Sequence, residues 1–218
     1  MYIPSVNREE NIAVLHQMMQ DNSFATLVTS DPTANGGAPV ATHLPVLLRP
    51  EEGKCGVLAA HLARANSQWR HFQPGREVLV IFQDAHAYVS PSYYTPGFSV
   101  PTWNYSAVHA YGIPQIVEEP AAVMGMLDEL VAVYEQPRPA LYATDWDDER
   151  AVKMTGAIVA FTIEITRLEG KRKLSQNRTL ADRQGVIDAL QCGNPDERKV
   201  AETMAADLAK LQEAQLNV

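Results

Sequence analysis

Four short segments of the chain collect polar and aromatic side chains that a bare fold does not require. They are ATHLP at 41–45, HLARANSQW at 61–69, VPTWNY at 100–105 and KLSQNR at 173–178. The second runs from an expected strand end to an expected helix start. Backbone N–H groups, the Asn66 and Ser67 side chains and the Arg64 charge then converge in a way that suits a phosphate monoester. The plainer reading is that Asn66 or Ser67 caps the helix and Arg64 is solvated. The fourth segment lies in a basic stretch. Arg167, Lys171, Arg172, Lys173, Arg178 and Arg183 are offset there only by Glu169 and Asp182. In a chain of net charge −8 this excess points to an anion site or an acidic partner surface, or else to a solvated strand end. Ser175, Gln176 and Asn177 stand just before an expected helix, where they can aim hydrogen-bonding groups at a ligand.

His43, His61, His86 and His109 fall on or beside expected strands, without ligand spacing and without an acidic partner pattern, so no metal site is expected. Trp69, Trp103, Tyr93, Tyr94 and Tyr105 can stack on a planar ligand or fill a dimer interface, and both hold if a ligand sits between two subunits. No Ser-His-Asp or Cys-His order can be recognised. Cys55 and Cys192 form neither a CxxC nor a zinc spacing and read as reduced thiols.

These groups must be positioned by regular elements. Asn7, with Glu10 three residues on, reads as the cap of a helix over 8–21, with Ile12, Leu15, Met18 and Met19 on one face. Strand character follows at 24–30. Pro32, Asn35, Gly36 and Gly37 mark a turn, and 40–48 is the return strand, placed at an edge or bulge by Pro45. Further strands are expected at 56–62, 78–82, 85–90, 105–117 and 156–168, with a short helix at 67–72. Residues 91–104, rich in proline and aromatics, read as a long functional or interface loop. Helices are expected at 120–135 from Pro120, at 145–154, at 179–191, and at 195–213 from Asn194-Pro195. Strands follow strands with few helices between them, which argues for an α+β fold: an antiparallel sheet or barrel with peripheral helices. Neither a G-x-G-x-x-G nor a Walker A motif is present.

At 218 residues the chain suits one sizeable domain or two small ones. With 46% hydrophobic and 20% charged residues it is neither disordered, collagen-like nor a coiled-coil rod. No apolar run approaches the roughly 18–20 residues of a membrane span. The start, MYIPSVNREEN, does not read as a secretory signal. A soluble, cytoplasmic protein is therefore expected. With 18 basic against 26 acidic residues, direct nucleic-acid binding is disfavoured.

The same segments carry a family resemblance. MYIP at the start, NSFATLVT (22–29), ATHLPVLL (41–48), HLARANSQW (61–69), VLVIFQDAHAYVSPSYY (78–94), VPTWNYSAVHAYG (100–112) and EGKRKLSQNR (169–178) resemble the PaiB family of FMN-binding negative transcriptional regulators. The resemblance runs to about residue 190. It implies an antiparallel split β-barrel with peripheral helices over 1–190, and leaves 191–218 as a C-terminal helical extension packed on or beside it. It also implies FMN as cofactor and a homodimer with the cofactor sites at its interface. Carried over residue by residue, Arg64, Asn66 and Ser67 take the FMN phosphate. Thr42 and His43 face the flavin ring, and His61 and Trp69 flank the same pocket. Trp103 and Asn104 close it from the partner subunit, and Lys173, Ser175, Gln176, Asn177 and Arg178 complete the phosphate or ribityl side. Arg64 stands where the family often has Lys, and Ser67 where its pattern has Pro. The main functional reading is a dimeric FMN-binding regulator acting on DNA or through a protein partner. The alternative is an FMN-dependent oxidoreductase acting on a small molecule.

Overall fold

The structure, a computed structural model, describes residues 1–31, 33 and 37–216. In chain order the elements are β1 (Arg8–Glu9), α1 (Ile12–Asp21), β2 (Phe24–Ser30), β3 (Pro39–Pro45), β4 (Leu47–Arg49), β5 (Val57–Ala63), β6 (Val78–Val89), β7 (Thr102–Val117), α2 (Pro120–Glu135), α3 (Glu149–Thr155), β8 (Ile158–Lys173), α4 (Leu180–Gln191) and α5 (Pro195–Leu216). Short 3-10 turns stand at Ser5–Asn7, Ser67–His71 and Pro91–Tyr93. The hydrogen-bonded strand order is β3-β2-β6-β7-β8-β5-β4, with β1 paired to β8. The pairs β2–β3, β2–β6, β4–β5, β5–β8 and β1–β8 are antiparallel. The class is therefore α+β with an antiparallel sheet. The expected turn at Pro32, Asn35, Gly36 and Gly37 lies for the most part outside the described residues.

The chain forms two compact units. The first comprises Met1–Asn11, Gln83–Val108 and Glu169–Val218, and the second Ile12–Phe82 and His109–Leu168. In the second unit, α2 begins where Pro120 fixes the backbone, and the Glu119 carboxylate accepts from the N–H groups of Ala121 and Ala122. Val123 and Met126 on its inner face pack against Ala59 of β5 and Ala160 of β8. Gly112 has no alternative: a Cβ there would lie 2.2 Å from the Glu164 carbonyl. In the first unit, Ala87 and Val89 of β6 pack with Val186, Ile187 and Leu190 of α4 and with Val200, Met204 and Leu208 of α5. Gly185 lets α4 approach the 91–93 turn, since a Cβ would lie 2.3 Å from the Tyr93 carbonyl. Asn194 and Glu197 form a reciprocal capping box at the start of α5, each side chain accepting the other's backbone N–H at 2.7–3.0 Å.

Five element readings change. Asn7 does not cap a helix over 8–21: it is buried in a 3-10 turn, Arg8 and Glu9 pair with Lys171 and Gly170, and α1 starts at Ile12. The return strand 40–48 divides into β3 and β4 around Pro45, and both lie at sheet edges, where a proline is tolerated. The two strands expected at 78–82 and 85–90 are one, and the strand at 156–168 continues to Lys173. The expected 91–104 loop contains a 3-10 turn and the start of β7.

Candidate functional site

Seven of the candidate residues fall in the second unit, on β3, on β5 and in the turn that follows β5. The turn is built by Asn66. Its Oδ1 accepts from the Gln68 N–H at 3.0 Å and so caps the 3-10 helix, while its Nδ2 donates to the Thr42 hydroxyl at 2.9 Å. Thr42 in turn donates to Gln68 Oε1. Gln68 is 1% exposed, and its Nε2 donates to the carbonyls of Leu27 (3.2 Å) and Val40 (3.0 Å). One buried amide therefore ties β2, β3 and the turn together. Sequence reasoning quoted Gln68 within its motif but gave it no role. Its partners come from strands distant along the chain.

Arg64 is exposed but held in place. Its Nε donates to the Gly156 carbonyl and its Nη2 to the Ile158 carbonyl, both at 2.7 Å. Nη1 is left without a partner among the described residues. The Trp69 indole N–H donates to the Arg64 carbonyl at 3.1 Å, and the Arg70 guanidinium lies 5.4 Å from the Trp69 ring centroid. The Ser67 hydroxyl is exposed at the first position of the turn. Arg64 and Trp69 line a cleft of about 480 Å³ whose other walls include Val117, Val123, Ile158 and Ala160. Ala160 is the register partner of His61. His61 Nδ1 is buried without a hydrogen-bond partner among the described residues, and burial pushes the pKa of its imidazole down. His43 is exposed on the edge strand, 2.9 Å from the Thr26 hydroxyl and stacked with Phe24.

The remaining candidates fall in the first unit. Trp103 is 52% exposed and packs against His86 and Tyr88. Asn104 is 0% exposed, and its amide bonds the Ser175 hydroxyl at 3.0 Å and Met204 Sδ at 3.3 Å. It supports a turn rather than presenting a group to a ligand. Ser175 has φ +61°, an uncommon conformation for a side chain other than glycine. The Gln176 amide is also engaged in this turn, accepting from the Leu174 N–H and donating to the Arg172 carbonyl. Lys173 donates to the Thr102 hydroxyl and the Trp103 carbonyl. Burial, and then the Lys171 ammonium, push its pKa down. Arg178 stacks on the Tyr94 ring at 4.2 Å, and Asn177 is exposed.

The basic stretch is not an open patch. Lys171 and Arg183 are buried, Arg172 pairs with Glu9 and Asp207, and Arg167 stacks on Tyr111 at 3.6 Å. Among the described residues no group of three His, Cys, Asp or Glu side chains is placed to hold a metal, and no helix is long and apolar enough to cross a membrane.

The antiparallel sheet with peripheral helices is that of a split barrel, and comparison with known proteins agrees. The FAD and haem binding protein from Mycobacterium smegmatis shares the fold at a TM-score of 0.56 and 18% identity, over 77% of this chain and 73% of that one. The sequence model of the family described as "Putative FMN-binding domain" matches residues 1–167. The chain is 36% identical to the protease synthase and sporulation protein PAI 2 of Bacillus subtilis, over 96% of this chain and 99% of the relative. It is also 27% identical to an uncharacterized protein of Emericella nidulans, over 98% and 99%. The chain thus belongs to the FMN-binding family that includes PaiB, and FMN is its cofactor. The second-unit group fits that cofactor. A guanidinium held by two carbonyls and an exposed hydroxyl suit a phosphate, a cleft with an indole, Val117, Val123 and Ile158 beside the polar Glu118 and Thr155 suits a flat ring with polar edges, and His61 Nδ1 is a buried polar atom without a partner among the described residues.

Proposed function

We propose that the chain is a dimeric FMN-binding regulator whose cofactor is held by the second-unit group. Arg64 Nη1 and Ser67 donate to the phosphate, Asn66 and Thr42 fix the turn that presents them, and His43, His61 and Trp69 border the flavin ring. The observation that carries this reading is the Arg64 fork. Two backbone carbonyls hold the guanidinium in place and leave one nitrogen for an anion. FMN bound there supplies redox chemistry of its own. The half-exposed Trp103, backed by His86 and Tyr88, is the aromatic surface with which a second copy closes the site.

The regulatory role rests on the relative's name, which links it to protease synthase and sporulation. A protein partner fits this chain better than DNA, because the net charge is −8 and, within the basic stretch, Arg172 is ion-paired while Lys171 and Arg183 are buried. FMN titration of the full chain and of Arg64→Ala with Ser67→Ala tests the site. Affinity is expected to fall at least about tenfold, and unchanged affinity refutes the assignment. A salt-dependent shift of DNA would replace the protein partner by DNA. Bleaching of the bound flavin by NAD(P)H would replace regulation by an oxidoreductase activity.

A further inference from the structure

The first unit holds a second cavity, of about 350 Å³, lined by Lys173, Arg178, Tyr94, Asn177 and Thr102 among others. Its chemistry is one-sided. Two cations border it, and no Asp or Glu does. Neither Lys173 nor Arg178 has a carboxylate within ion-pair distance among the described residues. Asp182, whose carboxyl the Arg178 charge helps to hold low, accepts from the Thr95 N–H and hydroxyl through Oδ1 at 2.7–2.8 Å and does not line the cavity. Lys173 is instead held by a hydroxyl and a carbonyl, which orient the ammonium without neutralising it.

Tyr94 supplies the independent sign of a ligand. It is 8% exposed, its ring lies under the Arg178 guanidinium, and its hydroxyl is buried with no hydrogen-bond partner among the described residues. A buried phenol without a partner is costly, and such groups are normally satisfied. The position is also enforced. Gly185 allows α4 to press on the Tyr93 carbonyl, and Asp182 clamps Thr95, so both neighbours of Tyr94 are fixed. In the separate 174–178 turn Ser175 has positive φ, its hydroxyl is bonded to Asn104, and Asn177 and Arg178 stand in the cavity wall.

We propose that this cavity is a binding site for a small oxyanion, a carboxylate or a phosphate, separate from the site of the FMN phosphate. Lys173 and Arg178 bind the charge, and the Tyr94 hydroxyl and Asn177 amide donate to its oxygens. A cavity of this size admits a metabolite-sized molecule. The site gives the flavoprotein a second small-molecule input, as substrate or effector, and it stands whether or not the FMN assignment holds.

The test is titration of the full ¹⁵N-labelled chain with inorganic phosphate and with acetate, with and without FMN, read at the backbone amides of 173–178. Saturable shifts are expected in both states, and Tyr94→Phe and Lys173→Met should each weaken binding about tenfold. A response to phosphate alone identifies a phosphoryl ligand, and a response to acetate alone a carboxylate. Absence of saturable shifts with either probe overturns the proposal. So does unchanged affinity in Tyr94→Phe, a variant that removes one oxygen and leaves the packing intact. If FMN displaces the probes, or Lys173→Met weakens FMN as Arg64→Ala does, the cavity belongs to the cofactor and the second site is refuted. Failure of the chain to retain FMN would sink the cofactor assignment while leaving this titration to decide on its own terms.

Discussion

Replacing Gln68 by Met keeps the volume and apolar stem of a buried side chain and removes its amide. Three hydrogen bonds disappear: that from the Thr42 hydroxyl and those to the Leu27 and Val40 carbonyls. At about 1 kcal/mol each the loss is about 3 kcal/mol. Because Met fills the space, little is added for a cavity. For a chain of this length a loss of 1 kcal/mol lowers Tm by about 2–4 °C, so Gln68→Met is expected to melt about 6–12 °C below the native protein. The variant has a second, independent readout. Thr42 loses its acceptor, and Asn66, which donates to Thr42, loses the group that fixes its partner. FMN affinity should therefore fall although Gln68 need not touch the cofactor. Thermal melting by circular dichroism and FMN titration by flavin fluorescence give the two numbers. A Tm within about 2 °C of the native value, together with unchanged FMN affinity, refutes the reasoning.

Three further outcomes are expected. The folded chain holds the His61 imidazole below its unfolded value of 6.5, so in the window below that value the unfolded chain binds a proton that the folded one does not. Stability from this residue is thus fully present above about pH 6.5 and is lost as pH falls through the folded value; comparison of Tm at pH 7 and pH 5 should show a smaller drop in His61→Gln than in the native protein. Asn194→Ala breaks the capping box of α5 and should cost about 1 kcal/mol in urea denaturation, with Glu197→Ala adding little on top because the two act as one unit. Trp103→Ala should shift the proposed dimer towards monomer in sedimentation velocity, since half of the side chain is exposed; an unchanged association state would move the interface elsewhere.

Much of this fold is legible because its signals are local. Helix α2 runs over 120–135 as its proline implies, and α5 starts at the expected Pro195. What could not be read depends on partners far away in sequence. Nothing near Arg8 and Glu9 shows that they will pair with Lys171 and Gly170, so a helical pattern at 8–21 looked continuous. The end of β8 was hidden for the same reason. Its charged residues read as a solvated or ligand-facing stretch, whereas Arg172 finds Glu9 and Asp207, and Glu169 finds the N-terminal ammonium. The polar residues Gln83 and Asp84 read as a break between strands, yet Asp84 meets Lys199 and β6 runs on.

The candidate site divides in the same way. Residue types pick out Arg64, Asn66 and Ser67, and the family resemblance adds Thr42. They do not reveal that the Arg64 fork is held by two carbonyls near the start of β8, nor that Gln68 is the hub. Asn104 and Gln176 have the right chemistry for a ligand, but their amides bond within the protein and shape the turn that carries Arg178. Tyr94 stood among several aromatics, and only its unsatisfied hydroxyl separates it from the rest.

The central claim, that the Arg64 turn holds FMN, is tested most directly by the visible spectrum of the purified chain after loading with FMN and desalting. Retained flavin in stoichiometric amount, lost in the Arg64→Ala, Ser67→Ala variant whose fold is intact by circular dichroism, is the predicted result. No retained flavin in the native protein, or equal retention in the variant, contradicts it.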